Sequence, residues 1–394
     1  MVVLAILAIL AGACAAPGAA DVPFPQRTVE VALVDVFSGP TAETGRQLRN
    51  GLELQAGLIN AAGGLLGQRV EVVTADGELN PAKAAELVRQ QAGDPSVGLV
   101  VGPNDTASFL AARPALEAGG MTSCLTRLSD EAMSAARASF RVGPANSAEV
   151  AVLLNAVRAT KKNPRIGLLD EGDELGRSYD SQLVAQSSGA GLAYIGHLAA
   201  PPGTDQRAAL QQLVAQGAQL VVLSQQPAAA VRIAQAATQL GAGRPVLAGF
   251  GALADYAFAS QGGDAATGAL VATTPQLYLT SAPEARWPPA YRTFVDASSR
   301  LYGLGIDGMQ LQAAPAAADC LRQWARAVRQ AGMFRGAAVA RAWEALDLPA
   351  SETSLGVRER LTTGDHNAVA QDQLVAYTWT KEGTRSMLVQ APIS

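Results

Sequence analysis

The chain has 394 residues, enough for two ordinary domains and too many for one small core. Nearly half is apolar, only 5% is aromatic, and Ala and Gly are abundant, a mix that suits closely packed helix–sheet interfaces. The net charge of −4 comes from interspersed acids and bases. No basic stripe of the kind nucleic-acid binding demands is present, so that class of partner is excluded.

At the N-terminus, residues 2–11 form a short apolar run, followed by Gly12, Ala13 and Cys14. The run is too short to cross a bilayer as an ordinary helix and fits the core of a signal peptide over residues 1–14. Small residues before a cysteine are similar to the bacterial lipoprotein box, which makes Cys14 the candidate lipidation site and the chain's expected attachment to a membrane. Ala11 stands where that box usually has Leu, and no Lys or Arg precedes the run. Cleavage without lipidation is therefore the alternative. Residues 15–27, rich in Pro and small residues, read as a flexible tether.

From Thr28 onward, apolar strands alternate with amphipathic helices. Strands are predicted at 29–37, 70–76, 97–103 and 121–126, with helices at 45–64, 81–91 and 106–120 between them. The segment SFRVGPAN then leaves this unit. A second series of similar layout follows: helix 147–160, strand 165–171, helix 176–189, strand 191–197, helix 205–216, strand 218–225, helix 227–240, strand 244–250 and strand 268–274. Each strand–helix–strand step implies parallel pairing with a right-handed crossover. Helices at 287–302, 310–331 and 336–346 precede a β-rich tail with turns at TTGDHN and TKEG. The expected fold class is α/β: two Rossmann-like lobes with three chain crossings and a hinge between them. The N-terminal lobe takes residues 28–145 and 275–350, and the C-terminal lobe takes 146–274 and 351–394.

Chemical motifs are scarce. There is no Gly-x-Ser-x-Gly elbow, no phosphate-binding loop and no dinucleotide fingerprint after the first strand. His197 and His366 are isolated, so no metal, cofactor or catalytic residue is expected. Beyond Cys14 the only cysteines are Cys124 and Cys320. An exported chain can pair them, and two isolated buried thiols is the favoured reading. The four tryptophans lie in predicted elements, where packing is the expected role. Open α/β sheets bind ligands beyond the C-terminal ends of their strands. That rule nominates loops 38–45, 76–81, 102–108 and 126–129 in the first lobe, and 170–176, 224–227 and 249–252 in the second. At GPNDTAS, the Thr106 hydroxyl and the backbone N–H groups suit an acceptor-rich group. Capping of the helix by Asn104, Asp105 or Thr106 explains the same residues equally well.

Several of these loops also carry a resemblance. SGPTAETG (38–45), GLELQAGLINAAGGLLGQRVEVVTAD (51–76), NPAKAAELVRQ (80–90) and VVGPNDTAS (100–108) resemble the branched-chain amino-acid-binding family of ABC importer receptors. RIGLLDEGDELGRSY (165–179) and GDAATGALVATTP (263–275) continue the match. The resemblance implies two α/β lobes on three hinge strands, a type I periplasmic binding protein, closing on a solute in the interlobe cleft. By its alignment the ligand contacts fall on Thr44, Thr106, Arg127, Ser129, Leu175, Gln226 and Phe250. Amino-acid binders have an acid where Phe250 stands and aromatic rings where Thr44 and Leu175 stand. A small carboxylate or amide without an ammonium group is therefore favoured as solute. Arg127 is the candidate carboxylate clamp, its alternative being an outer ion pair with Asp130 or Glu131. The acidic run at 170–174 reads either as a receptor for a cation or as a solvated loop. The implied partners are a small solute and a membrane permease, with the receptor monomeric and extracytoplasmic. A sensor of the same fold feeding a signalling partner is the runner-up, and an enzyme on a Rossmann-like scaffold is the third reading.

Overall fold

A computed structural model describes residues 27–160, 162–303 and 312–392. Cys14, the signal segment and the tether before Arg27 lie outside the described residues. In the first lobe β1 (Thr28–Asp35), β2 (Arg69–Asp76), β3 (Val97–Val101), β4 (Ser123–Leu125) and β5 (Ser139–Pro144) are separated by α1 (Ala42–Ala61), α2 (Pro81–Gly93), α3 (Thr106–Ala118) and the short α4 (Asp130–Ser134). The second lobe opens with α5 (Asn146–Ala159). It then runs through β6 (Ile166–Asp170), α6 (Glu174–Ser187), β7 (Tyr194–Ala199), α7 (Gln206–Ala215), β8 (Leu220–Ser224), α8 (Pro227–Thr238), β9 (Val246–Gly249), α9 (Tyr256–Gln261) and β10 (Leu270–Thr273). The chain returns through α10 (Pro289–Tyr302), α11 (Ala313–Ala331) and α12 (Ala337–Glu344). It ends in β11 (Asp347–Leu348), β12 (Glu359–Arg360), β13 (Asn367–Val369), β14 (Val375–Glu382) and β15 (Arg385–Gln390).

Two sheets result, with strand orders β11-β12-β13-β5-β4-β3-β1-β2 and β15-β14-β10-β9-β8-β6-β7. Their central strands are parallel, as short strand–helix–strand steps require. Being covered on both faces, these strands are continuous apolar runs: Val97–Val101 and Leu220–Ser224 are buried at every position. Phe109 and Leu116 of α3 pack with Val88 of α2 on one face of the first sheet, while Leu48 and Leu52 of α1 meet α11 on the other. Gly51 makes the α1–α11 approach possible, since a Cβ there would lie 2.0 Å from the Ala314 carbonyl oxygen. No helix among the described residues is long and apolar enough to cross a membrane.

Three features differ from the sequence-based expectation. SFRVGP, expected only as an exit segment, forms β5 in the middle of the first sheet, parallel to β4. Arg141 at its centre hid the apolar run, yet its guanidinium is fully buried, donating to Leu128 O, Asp130 Oδ1 and Asn367 Oδ1. Second, the expected change of lobe at residue 351 is displaced. β12 and β13 belong to the first sheet, because β13 pairs parallel to β5 and Arg141 N donates to His366 O. Only the β14–β15 hairpin, turned at Gly383 with φ 61°, joins the second sheet, antiparallel to β10. Segment 275–279 also stays with the second lobe, where Leu279 packs among Trp379 and Leu388. Third, Cys124 and Cys320 are not isolated thiols but a disulfide, with S–S 2.01 Å and Cα–Cα 5.8 Å. Helix α11 lies against β3, β4 and β5, which sets Cys320 directly over β4.

Candidate functional site

The C-terminal ends of the two parallel sheets enclose a cavity of about 140 Å³ between the lobes. More than half of its lining residues come from loops that the strand-end rule selects, and most of the rest come from strand ends and from α5, α6 and the start of α11. From the first lobe come Asp35 and Val36 after β1, Thr44 in α1, Leu79 after β2, Asn104 and Asp105 after β3, and Arg127 after β4. The second lobe supplies Gln226 after β8 and Phe250 after β9, joined by Glu149 of α5 and Tyr179 of α6. Gln312, at the start of α11, also lines it.

Asn104 ties three first-lobe loops together. Its Nδ2 donates to Asp35 Oδ2 at 2.7 Å, while its Oδ1 accepts from Thr126 N at 2.7 Å. Asp35 is buried and also accepts from Val36 N, and burial outweighs these bonds, raising its pKa to about 6. Asp105 caps α3 by accepting from Ser108 N at 2.8 Å, which settles which residue performs that role. Its carboxyl is also pushed up by burial.

Of the expected contacts, Thr44, Arg127, Gln226 and Phe250 line the cavity, whereas Thr106, Ser129 and Leu175 do not. The Thr106 hydroxyl is buried and accepts from Ser129 N at 3.2 Å, fastening α3 to the loop before α4. Ser129 is spent as the cap of α4, accepting from Ala132 N. Leu175 packs into the core at the start of α6. Both hydroxyls thus accept from backbone amides around the start of α4, away from the cavity wall.

Arg127 is half-buried and makes no hydrogen bond or ion pair among the described residues. Its anticipated outer partner Asp130 is taken by Arg141 at 2.7 Å and by the N–H groups of Asn146 and Ser147. Arg127 nevertheless acts electrostatically on Glu149 and Glu171, drawing both carboxyls down against the stronger upward push of burial. The acidic run is committed elsewhere. Asp170 accepts from Gly172 N and pairs with His197 Nδ1 at 2.7 Å, Glu171 accepts from Gln226 N, Asp173 caps α6, and Glu174 pairs with Arg177. No member of the run lines the cavity. Neither reading fits the whole run, because Asp170 is buried and Glu171 half-buried, each engaged within the protein, while Asp173 and Glu174 serve as a helix cap and a surface ion pair.

Glu149 and Tyr179 were not anticipated. Glu149 is buried and accepts from the Tyr179 hydroxyl at 2.5 Å; burial, opposed by that bond and by Arg127, lifts its pKa to about 8. The Tyr179 ring stacks on Phe250, with centroids 4.1 Å apart and planes 8° from parallel. In sequence, a Glu in the first turn of a helix carries only the ordinary signature of a helix start. The other charged groups on the wall are therefore engaged within the protein, while Arg127 faces the cavity unengaged.

Two α/β lobes hinged around such a cleft define a receptor that encloses a small ligand between domains. The family profile described as periplasmic binding protein matches residues 28–384, and the chain belongs to that family, with the type I fold. A Leu/Ile/Val-binding protein homolog of Brucella melitensis is 24% identical over 354 residues, covering 87% of this chain and 90% of that one. Another homolog, from Brucella abortus, is 35% identical over 74 residues, a stretch that covers 19% of this chain and 18% of that relative's length. Among solved structures, a solute-binding protein of an ABC transporter from Rhodopseudomonas palustris in complex with 3,4-dihydroxybenzoic acid superposes with a TM-score of 0.78 at 17% identity. It covers 92% of this chain and 96% of that one. A branched-chain amino acid transporter substrate-binding protein from Streptococcus pneumoniae, in complex with isoleucine, gives 0.73 at 18% identity over 92% and 100% of the two chains. At these identities the structural likeness speaks for the fold.

Proposed function

We propose that the chain is the extracytoplasmic receptor of an ABC importer, which closes its lobes on a small carboxylate and delivers it to a membrane permease. The observation that carries the solute class is Arg127, a guanidinium on the cavity wall with no partner among the described residues. A carboxylate docked there gains charge-assisted, bidentate hydrogen bonds and ends the exposure of an unpaired charge in a narrowing cleft. Thr44, Gln226 and Phe250 supply further contacts, with the Phe250–Tyr179 stack as an apolar wall. A solute touching both lobes favours the closed state by its differential affinity, the signal a permease reads. The solved relatives in complex with hydroxybenzoates are consistent with an acid that lacks an ammonium group. The mature chain is held at the membrane by lipid on Cys14, which the mass of the mature N-terminal peptide tests.

An α-amino acid is the second reading, and Glu149 is the observation that favours it. Its carboxyl lines the cavity, and an ammonium group bound beside it would favour loss of its proton and pair with the resulting carboxylate. A thermal-shift screen of the chain from residue 21 onward, against amino acids, aromatic and aliphatic carboxylates, amides and polyamines, separates the readings. A ligand at a hundred times its dissociation constant adds about 2.7 kcal/mol of stability. Carboxylate hits without amino-acid hits support the first reading, and leucine or isoleucine hits support the second. A polyamine hit alone sinks both.

A further inference from the structure

The turn between β2 and α2 is built at a conformational cost. Glu78 and Leu79, neither of them glycine, both adopt left-handed backbone conformations, with φ of 55° and 52°. For L residues this region brings Cβ against a backbone carbonyl. The surroundings hold the turn in place: Asp76 Oδ1 accepts from Glu78 N at 3.0 Å, Lys83 pairs with Glu78 at 2.7 Å, and Asn80 N donates to Gly77 O at 2.8 Å. The same Asp76 oxygen accepts from Phe37 N, which fastens the turn to the loop after β1. The product of this arrangement is a leucine side chain that is 48% exposed and lines the cavity. About half of that side chain faces the cleft and packs on nothing within its own lobe, and strain held at a cleft wall points to function.

The position of Leu79 in the sheet says what it meets. The strand order β4-β3-β1-β2 puts the loops bearing Arg127 and Leu79 three strand intervals apart, roughly 14 Å at about 4.8 Å per interval. The cavity thus has a cationic end and an apolar end on the first lobe, and Phe250, Ala252 and Ala254 face it from the second. We infer that Leu79 is a specificity-determining residue that covers the hydrocarbon body of the bound carboxylate as the lobes close. The solute class narrows to acids carrying an apolar ring or branched chain, and short polar acids such as glycolate are rejected. This inference rests on the receptor reading and on Arg127 as the anionic subsite.

The test uses calorimetric titration of the wild type, Leu79→Ala and Leu79→Gly with 4-hydroxybenzoate, isoleucine and glycolate, alongside the melting temperature of each unliganded protein. The wild type is expected to bind 4-hydroxybenzoate or isoleucine and to ignore glycolate. Leu79→Ala is expected to bind the accepted probe about tenfold more weakly, the loss of a few contacting methyl and methylene groups. Its unliganded melting temperature should stay within a degree or two. Leu79→Gly should melt at or above the wild type, because glycine relieves the left-handed strain. Unchanged affinity in both variants, with Arg127→Ala still impaired, overturns the role of Leu79 and leaves the anionic subsite standing. A fall of several degrees in both unliganded variants overturns it too, by making Leu79 a packing residue. A wild type that binds none of the apolar acids overturns the solute reading and this inference together.

Discussion

The Tyr179 hydroxyl donates to Glu149 Oε2 at 2.5 Å, joining α6 to α5 inside the wall of the interlobe cavity. Burial raises the Glu149 pKa from 4.5 to about 8, so at neutral pH the folded protein holds a proton that the unfolded chain releases. For an acid raised on folding, the stabilisation is complete below pH 4.5 and is lost as pH rises towards 8. Asp35, raised to about 6, acts in the same direction over a lower window. The melting temperature of the unliganded protein should therefore fall between pH 5 and 8, by several degrees. Glu149→Gln, which keeps an acceptor for Tyr179, should flatten the upper part of that decline. Calorimetry at pH 5, 6.5 and 8 checks this, and an identical slope in the variant would show that Glu149 is already ionised in the folded state.

Arg127→Ala should weaken binding of the accepted carboxylate at least tenfold, and Arg127→Lys should recover only part of it, because an ammonium cannot match a carboxylate bidentately. The affinity should also decline above about pH 8. An anion at Arg127 removes the positive field that helps ionise Glu149, so the bound state prefers that carboxyl protonated. Titrations at pH 6.5 and 9 on the wild type and Glu149→Gln read this directly. An unchanged dissociation constant in Arg127→Ala would remove the anionic subsite from the description.

How much of this was legible in the sequence depends on the kind of signal. The alternation of buried strands and amphipathic helices was readable because both central sheets are covered on two faces, which leaves long apolar runs. β5 escaped because its central residue is Arg141, whose burial depends on Asp130 and Asn367 from elsewhere in the chain. Strand polarity nominates most of the cavity loops, and the family resemblance singled out Thr44, Arg127, Gln226 and Phe250 within them. Thr106 and Ser129 were not separable from helix caps, since the same hydroxyl satisfies backbone amides or a ligand and sequence does not say which. Glu149 and Tyr179 project from helices, whose residues carry no mark of facing a cleft. Pairing of Cys124 with Cys320 spans 196 residues, and only the placement of α11 on the sheet brings the two together.

That disulfide gives a third prediction. It fastens α11 to β4, and both cysteines are fully buried. Closing so long a loop restricts the unfolded chain, an effect of about 2–4 kcal/mol for typical disulfides. The double variant Cys124→Ala, Cys320→Ala should melt about 3–5 °C lower than the oxidised wild type. Ligand affinity should be nearly unchanged, because neither residue lines the cavity. Two free thiols in the unreduced, unfolded wild type, measured by thiol titration, would contradict the pairing.

Asp130 supplies the last prediction, at the first crossing between the lobes. Its carboxylate binds the buried Arg141 guanidinium at 2.7 Å and accepts from Asn146 N and Ser147 N at 2.9 Å each, at the start of α5. In return Asn146 Oδ1 accepts from Asp130 N at 3.0 Å and from Ser178 Oγ of α6 at 3.1 Å. Burial raises the Asp130 carboxyl, but Arg141 and the three bonds outweigh it, so the group stays below the usual carboxylate range. Asp130→Ala strands a buried cation and frees the N-terminal amides of α5, which should cost about 3–5 kcal/mol. Asp130→Asn keeps an acceptor but loses the charge and should cost less. Urea unfolding of both variants measures the loss. Because α5 carries Glu149 into the cavity, the alanine variant should also bind its solute more weakly, with the asparagine variant in between. Wild-type affinity in a strongly destabilised Asp130→Ala protein would show that this crossing supports the fold without setting the geometry of the site.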